Sequence, residues 1–295
     1  MERLYNSACK AFLHDGVDQP LHQECLAGTR LNTFDGIFLS VILLFGAALN
    51  RVMLDSRAFH SFYGPMYGKL TPQEQQRFCF HHVNVVLKGI LLVCVSSSIV
   101  QVTIGGKEWT DPYYHHSSVT LWETSTFAGY IVVAVSLLDL IYDTSLRLVY
   151  MVHHVGVLLA VQGLVFLIVN APVERAQEMR YLGIMSEIGI FWVLFSGMPG
   201  FTSHLTLILR RCFTHGDVRM PNLYYYAFYV NVSVTVVEVM SIFYLTYASR
   251  NRLPVAATIG IGALQVVFTY TKANKCQRIY AVYEEQLATL NKIRL

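Results

Sequence analysis

Three pairs of adjacent histidines stand out in the chain: His81-His82, His115-His116 and His153-His154. Imidazole titrates near neutral pH, so such residues can move protons, carry an acyl group or ligate a metal. Around the first and third pairs stand the ionisable residues of the apolar segments: Lys88, Asp139, Asp143, Glu187 and Glu238. Asp139 and Asp143 are four apart and share a helix face. His81, Asn84 and Lys88 fall on one stripe at helical spacing. A di-iron oxygenase needs HxxxH and HxxHH clusters, and none of the three pairs has the upstream histidine. The six cysteines (Cys9, Cys25, Cys79, Cys94, Cys212 and Cys276) show no CxxC spacing, which argues against zinc and redox motifs. No metal site and no organic cofactor are expected.

The elements that must hold these residues are membrane helices. Of 295 residues, 54% are hydrophobic and only 14% charged, against about 25% charged in soluble domains. Mean hydropathy is +0.43. A net charge of +3, with no basic tract, gives no footprint for nucleic acid. A bilayer core of about 30 Å is crossed by about 20 apolar helical residues. Seven segments qualify: 34–54, 78–102, 119–142, 149–170, 179–198, 222–247 and 254–272. The predicted fold is therefore all-α, a polytopic membrane helical bundle of about seven transmembrane helices. Residues 1–33 lack the apolar core of a signal peptide. Gly197-Met-Pro-Gly200 reads as the end of the fifth span, and the Asn231-Val-Ser233 sequon lies inside the sixth. Lys and Arg are more numerous on the side that holds the C-terminus, which predicts a cytosolic C-terminus and a lumenal or external N-terminal segment. There Cys9 and Cys25 either pair or stay as free thiols.

Ionisable groups inside a bilayer are costly and need partners or a wet cavity. This topology puts His81, His82, Asp139, Asp143, His153 and His154 at one level near the cytosolic side. Glu187 and Glu238 fall nearer mid-depth, where Lys88 could pair with either. A polar cavity open to the cytosol would hold all of them. Plainer readings stand beside this one. His81 and His82 also suit the membrane interface, Asp139 suits a structural pairing with Lys88 or Arg147, and Glu238 suits an interhelical contact. Two adjacent imidazoles at the head of an apolar helix, His153 and His154, are the hardest to explain by packing. His115-His116 falls on the opposite side, about 30 Å away, so the three pairs cannot share one metal.

Four stretches in order carry a resemblance to a known family. They are Gln76-Arg77-Phe-Cys-Phe-His81-His82, Gly129-Tyr130 followed by Asp139, Tyr150-Met-Val-His153-His154, and Tyr181-Leu-Gly-Ile-Met-Ser186-Glu187. Together they resemble the TLC-domain family of multi-pass membrane proteins, the superfamily that includes the ceramide synthases. The likeness covers roughly residues 70–280, and the His-His stretch is its strongest part. The Tyr-to-Asp spacing is longer than usual. The Trp, Asn, Arg and acidic continuation that follows His-His in ceramide synthases is missing, as is the Arg often found in the sixth span.

The resemblance implies a TLC-like transmembrane domain over 70–275. It is preceded by an N-terminal segment (1–33) and by a first helix with its linker (34–69), and followed by a cytosolic tail (276–295). It also implies an endoplasmic reticulum location, membrane lipids as ligands, and a role in lipid homeostasis. The alternative it implies is an acyl-CoA-dependent N-acyltransferase acting on a sphingoid base, with acyl-CoA as co-substrate. In that reading His153 or His154 is the base or acyl carrier, and Asp139 or Asp143 orients the imidazole. His81, His82, Lys88 and Glu187 then contact substrate, with His82 and Lys88 at the thioester or its oxyanion. A transporter or seven-helix receptor is a third reading, although no inverted repeat or matched pair of broken spans favours it. A homo-oligomer is left open.

Overall fold

The computed structural model describes residues 34–143, 146–170, 176–213 and 217–294. These form eight helices: α1 (Asp35–Asp55), α2 (Arg57–Gly68), α3 (Pro72–Thr103), α4 (Leu121–Tyr142), α5 (Leu148–Asn170), α6 (Ala176–Cys212), α7 (Arg219–Ala248) and α8 (Val255–Arg294). All but α2 are long and apolar enough to cross a membrane, and no strand forms among the described residues. Helices satisfy their own backbone groups, which lipid cannot do. The chain is thus an all-α, multi-pass membrane protein. Seven crossings put the start of α1 and the end of α8 on opposite sides, called here the N-terminal and C-terminal sides. Cys9 and Cys25 lie outside the described residues.

Local sequence sets several helix starts. Thr71 caps α3 and Thr120 caps α4, each through a capping box with the glutamate three residues on, Glu74 and Glu123. Pro72 follows Thr71 in the first turn, where its missing N–H costs nothing. Ser56 caps α2 through the Phe59 N–H. That short helix has no counterpart among the seven predicted spans. It kinks at Gly64, whose φ of +53° needs a residue without Cβ. Its aromatic face packs Phe59 and Tyr67 onto Phe78 of α3 and joins Ile208 of α6.

α4 lies at the centre of the bundle and α5 at its edge: 67% of the α4 span is buried, against 11% of the α5 span. The main core joins α1, α3, α4 and α6 through Ile42, Val83, Leu87, Leu91, Leu138 and Val193, among others. Here small residues let backbones approach. A Cβ on Gly46 would lie 2.8 Å from Leu138, and one on Gly197 would lie 2.6 Å from Leu91.

The fifth span does not end at Gly197-Met-Pro-Gly200. It continues as α6 to Cys212. Pro199 has no N–H to give the Phe195 carbonyl, which normally breaks a helix. Instead Lys272 Nζ of α8 donates to that oxygen at 3.4 Å. The Pro199 carbonyl in turn accepts from Ser203 Oγ at 2.6 Å and from Lys275 Nζ at 3.0 Å. The carbonyl that Pro199 leaves free is taken by the Lys272 side chain from another helix, a device open to membrane helices. The last span likewise extends well past residue 272, as one helix to Arg294.

Candidate functional site

In the half of the bundle nearer the C-terminal side, α3 to α6 and α8 turn ionisable side chains towards one another. Lys88 Nζ lies 2.8 Å from His204 Nε2, and His204 Nδ1 lies 3.1 Å from His81 Nδ1. An ammonium can only donate. His204 therefore accepts at Nε2 and carries its proton on Nδ1, which it donates to His81. Asp139 Oδ1 accepts from Asn84 Nδ2 at 3.3 Å, and Asp139 Oδ2 lies 3.8 Å from His154 Nε2. Two atoms here, Asn84 Oδ1 and His154 Nδ1, are buried with no hydrogen-bond partner among the described residues, and such atoms call for an explanation in a native interior.

His153 has a defined tautomer. Thr271 Oγ1 donates to the Phe268 carbonyl at 2.8 Å, so it accepts from His153 Nδ1 at 3.4 Å. The ring's lone pair is then on Nε2, which has no hydrogen bond to the described residues. The ring also packs edge-on against Phe268, 5.0 Å between centroids.

Lys272 and Glu238 form a closed ion pair. Glu238 is fully buried, and its second oxygen takes Gln265 Nε2 at 3.5 Å. Trp192 Nε1 holds the other end of Gln265 at 2.6 Å. This corrects the expected pairing of Lys88 with Glu238. Glu187 is half-buried and forms no ion pair among the described residues.

The candidate residues therefore separate. His81, Lys88, Asp139, His153 and His154 share the cluster. His82 points away from it: Nε2 lies 2.7 Å from Tyr63 Oη and Nδ1 lies 2.8 Å from the Phe78 carbonyl, so both nitrogens are occupied. Burial raises the pKa of the Tyr63 phenol, so it stays protonated and donates to His82. Asp143 sits at the rim, 3.4 Å from Arg77. His115 and His116 lie in the α3–α4 connection at the opposite membrane side. His204, Lys272 and Lys275 join the cluster without having been expected. His204 follows Gly197-Met-Pro-Gly200 and so fell beyond the predicted span. The lysines fell at the predicted end of the last one. The largely apolar stretch Leu205-Thr-Leu-Ile-Leu209 before Arg210 is the signal that α6 stays in the membrane longer.

Beyond Phe268, towards the N-terminal side, the cluster gives way to an apolar cavity of about 410 Å³. It lies between α4, α5, α6 and α8, from the level of Trp122 and Leu167 to that of Val157 and Phe268. The lining stretches Val157 to Leu167 and Ala256 to Phe268 are about 15–18 Å long. Four glycines line it, one from each helix: Gly129, Gly163, Gly189 and Gly260. A Cβ on Gly129, Gly163 or Gly260 would meet nothing within 4 Å, and one on Gly189 would make ordinary contact with Leu164 at 3.9 Å. These glycines do not serve close packing. They leave space.

Compared with protein-family models, curated proteins and solved structures, the chain matches none.

Proposed function

We propose that this chain binds a membrane lipid, with an acyl or alkyl tail in the glycine-lined cavity and the head at the polar cluster, and serves lipid homeostasis through that binding. The observation that carries the reading is the junction at Phe268. One ring borders both a cavity of about 410 Å³ and the His153 imidazole. That volume falls within the range of about 300–1,000 Å³ for small-molecule sites, which are mostly apolar with a few convergent polar groups. The resemblance to TLC-domain proteins points the same way. So does the endoplasmic reticulum that it implies as the location.

The test is to purify the protein in mild detergent and identify the lipids that stay with it. One species should be enriched over bulk membrane lipid and lost from the Gly163→Leu/Gly260→Leu variant, whose side chains fill the cavity. Bulk composition in both proteins would count against the reading.

One observation favours a second reading, the acyl-CoA-dependent N-acyltransferase. His153 carries its lone pair on Nε2, with its ring held by Thr271 and packed on the cavity-lining Phe268, as a general base would be held. His154 is oriented less firmly, because 3.8 Å to Asp139 is longer than a hydrogen bond. Acyl transfer to a long-chain base by wild type, and none by a well-folded His153→Ala variant, would establish this reading. No product across a panel of acyl-CoAs would leave lipid binding as the function.

A further inference from the structure

The cluster holds three lysines, and among the described residues only one of them has a carboxylate in contact. Lys272 is neutralised by Glu238. Among the described residues neither Lys88 nor Lys275 makes an ion pair. Lys88 ends on the neutral ring of His204 at 2.8 Å, and Lys275 ends on the Pro199 carbonyl at 3.0 Å. The two meet α6 at adjacent residues. A Cβ on Gly200 would lie 3.1 Å from Lys88 Nζ, next to the Pro199 carbonyl that takes Lys275. They are close enough for their charges to repel one another. Asp139 acts on both from further off, while its own contacts are Asn84 and His154. With both amines protonated, two ammonium groups face one carboxylate, Asp139, an excess of one positive charge inside the membrane.

Such a charge is expensive and normally paired. By accessible area both lysines are half-buried. On α8, Lys275 lies seven residues beyond Phe268, about 10 Å along the helix axis.

We infer that Lys88 and Lys275 form a receptor for the oxyanion head of a single-chain lipid, a fatty-acid carboxylate, whose tail lies in the cavity beyond Phe268. This rests on the lipid-binding reading above and names the head group that it leaves open. A carboxylate supplies one negative charge, which balances the count. It also accepts from two ammonium donors at once. A neutral head such as an alcohol would leave the excess charge in place.

The experiment measures binding of radiolabelled palmitate and of palmityl alcohol to the full chain in phosphatidylcholine nanodiscs. Wild type should bind the acid at least about tenfold tighter than the alcohol. Lys88→Met and Lys275→Met should each remove that preference by weakening binding of the acid, and Lys275→Arg should keep it. Equal binding of acid and alcohol by wild type, or a preference that survives both methionine variants, would overturn the oxyanion receptor while leaving the cavity intact. Binding of neither would overturn the lipid-binding reading as well. Displacement of palmitate by millimolar inorganic phosphate would show a site for free anions and overturn the lipid head. Thermal unfolding supplies a separate readout. Removing an unpaired buried charge should leave the unfolding temperature of Lys275→Met unchanged or raised, whereas a steep fall would make Lys275 a structural residue and overturn its role as receptor.

Discussion

α6 makes two interfaces of opposite kind. Towards α3 it is closed: a Cβ on Gly197 would lie 2.6 Å from Leu91 and 3.0 Å from Leu92, and one on Gly200 would lie 3.0 Å from the Lys88 side chain. Towards α5 it is open: Gly189 shares a void with Gly129, Gly163 and Gly260, where side chains would fit. The charges differ in the same way. Lys272 and Glu238 close on each other, whereas Lys88 ends on a histidine ring and Lys275 on a carbonyl, with no carboxylate in contact among the described residues. Small residues in membrane helices normally buy close packing. Here the same residue type does that work on one side and leaves a chamber on the other, and only the surroundings of the missing Cβ distinguish the two.

The closed side should be the fragile one. Glu238→Ala leaves Lys272 charged and unpaired in a dry interior, which should cost about 3–5 kcal/mol. The isosteric replacement of both partners, Lys272→Met with Glu238→Leu, should restore most of that stability. Unfolding in detergent, followed by helical signal or by size exclusion after heating, measures both. A Glu238→Ala variant as stable as wild type would remove the closed pair from the comparison.

Gly197→Leu should destabilise by about 1–3 kcal/mol, because its Cβ meets Leu91 and Leu92 before any longer atom is placed. The smallest effect should come from the open side. Gly163→Ala and Gly260→Ala should each raise stability by up to about 1 kcal/mol, the usual gain of alanine over glycine in a helix. If these alanines destabilise by as much as Gly197→Leu, the two interfaces are alike and the cavity is not a built feature.

Much of this bundle was legible in the sequence because a bilayer imposes length and apolarity on every span. α1, α4 and α5 begin and end within two residues of the expected segments. The departures come from interactions between helices. Pro199 reads as a stop until Lys272 is seen on the Phe195 carbonyl, and no local pattern links residues so far apart in the chain. His204, Lys272 and Lys275 were missed for the same reason, since their depth depended on helices that continue past an apparent end. His81 and His82 show the converse. Adjacent residues on a helix point to different faces, so one joins His204 while the other is consumed by Tyr63 and Phe78. The cavity left only its glycines in the sequence, and glycine spacing does not say whether a neighbour fills the gap.

The central claim, a lipid tail between α4, α5, α6 and α8, is open to direct mapping. A palmitate carrying a diazirine near the end of its chain would be photolysed on the protein in nanodiscs, and the modified residues located by mass spectrometry. The expected result is adducts on cavity residues such as Leu164, Val193 and Leu264, reduced in the Gly163→Leu/Gly260→Leu variant. Adducts confined to outward-facing residues such as Val237 and Phe243, with the same pattern in both proteins, would contradict it.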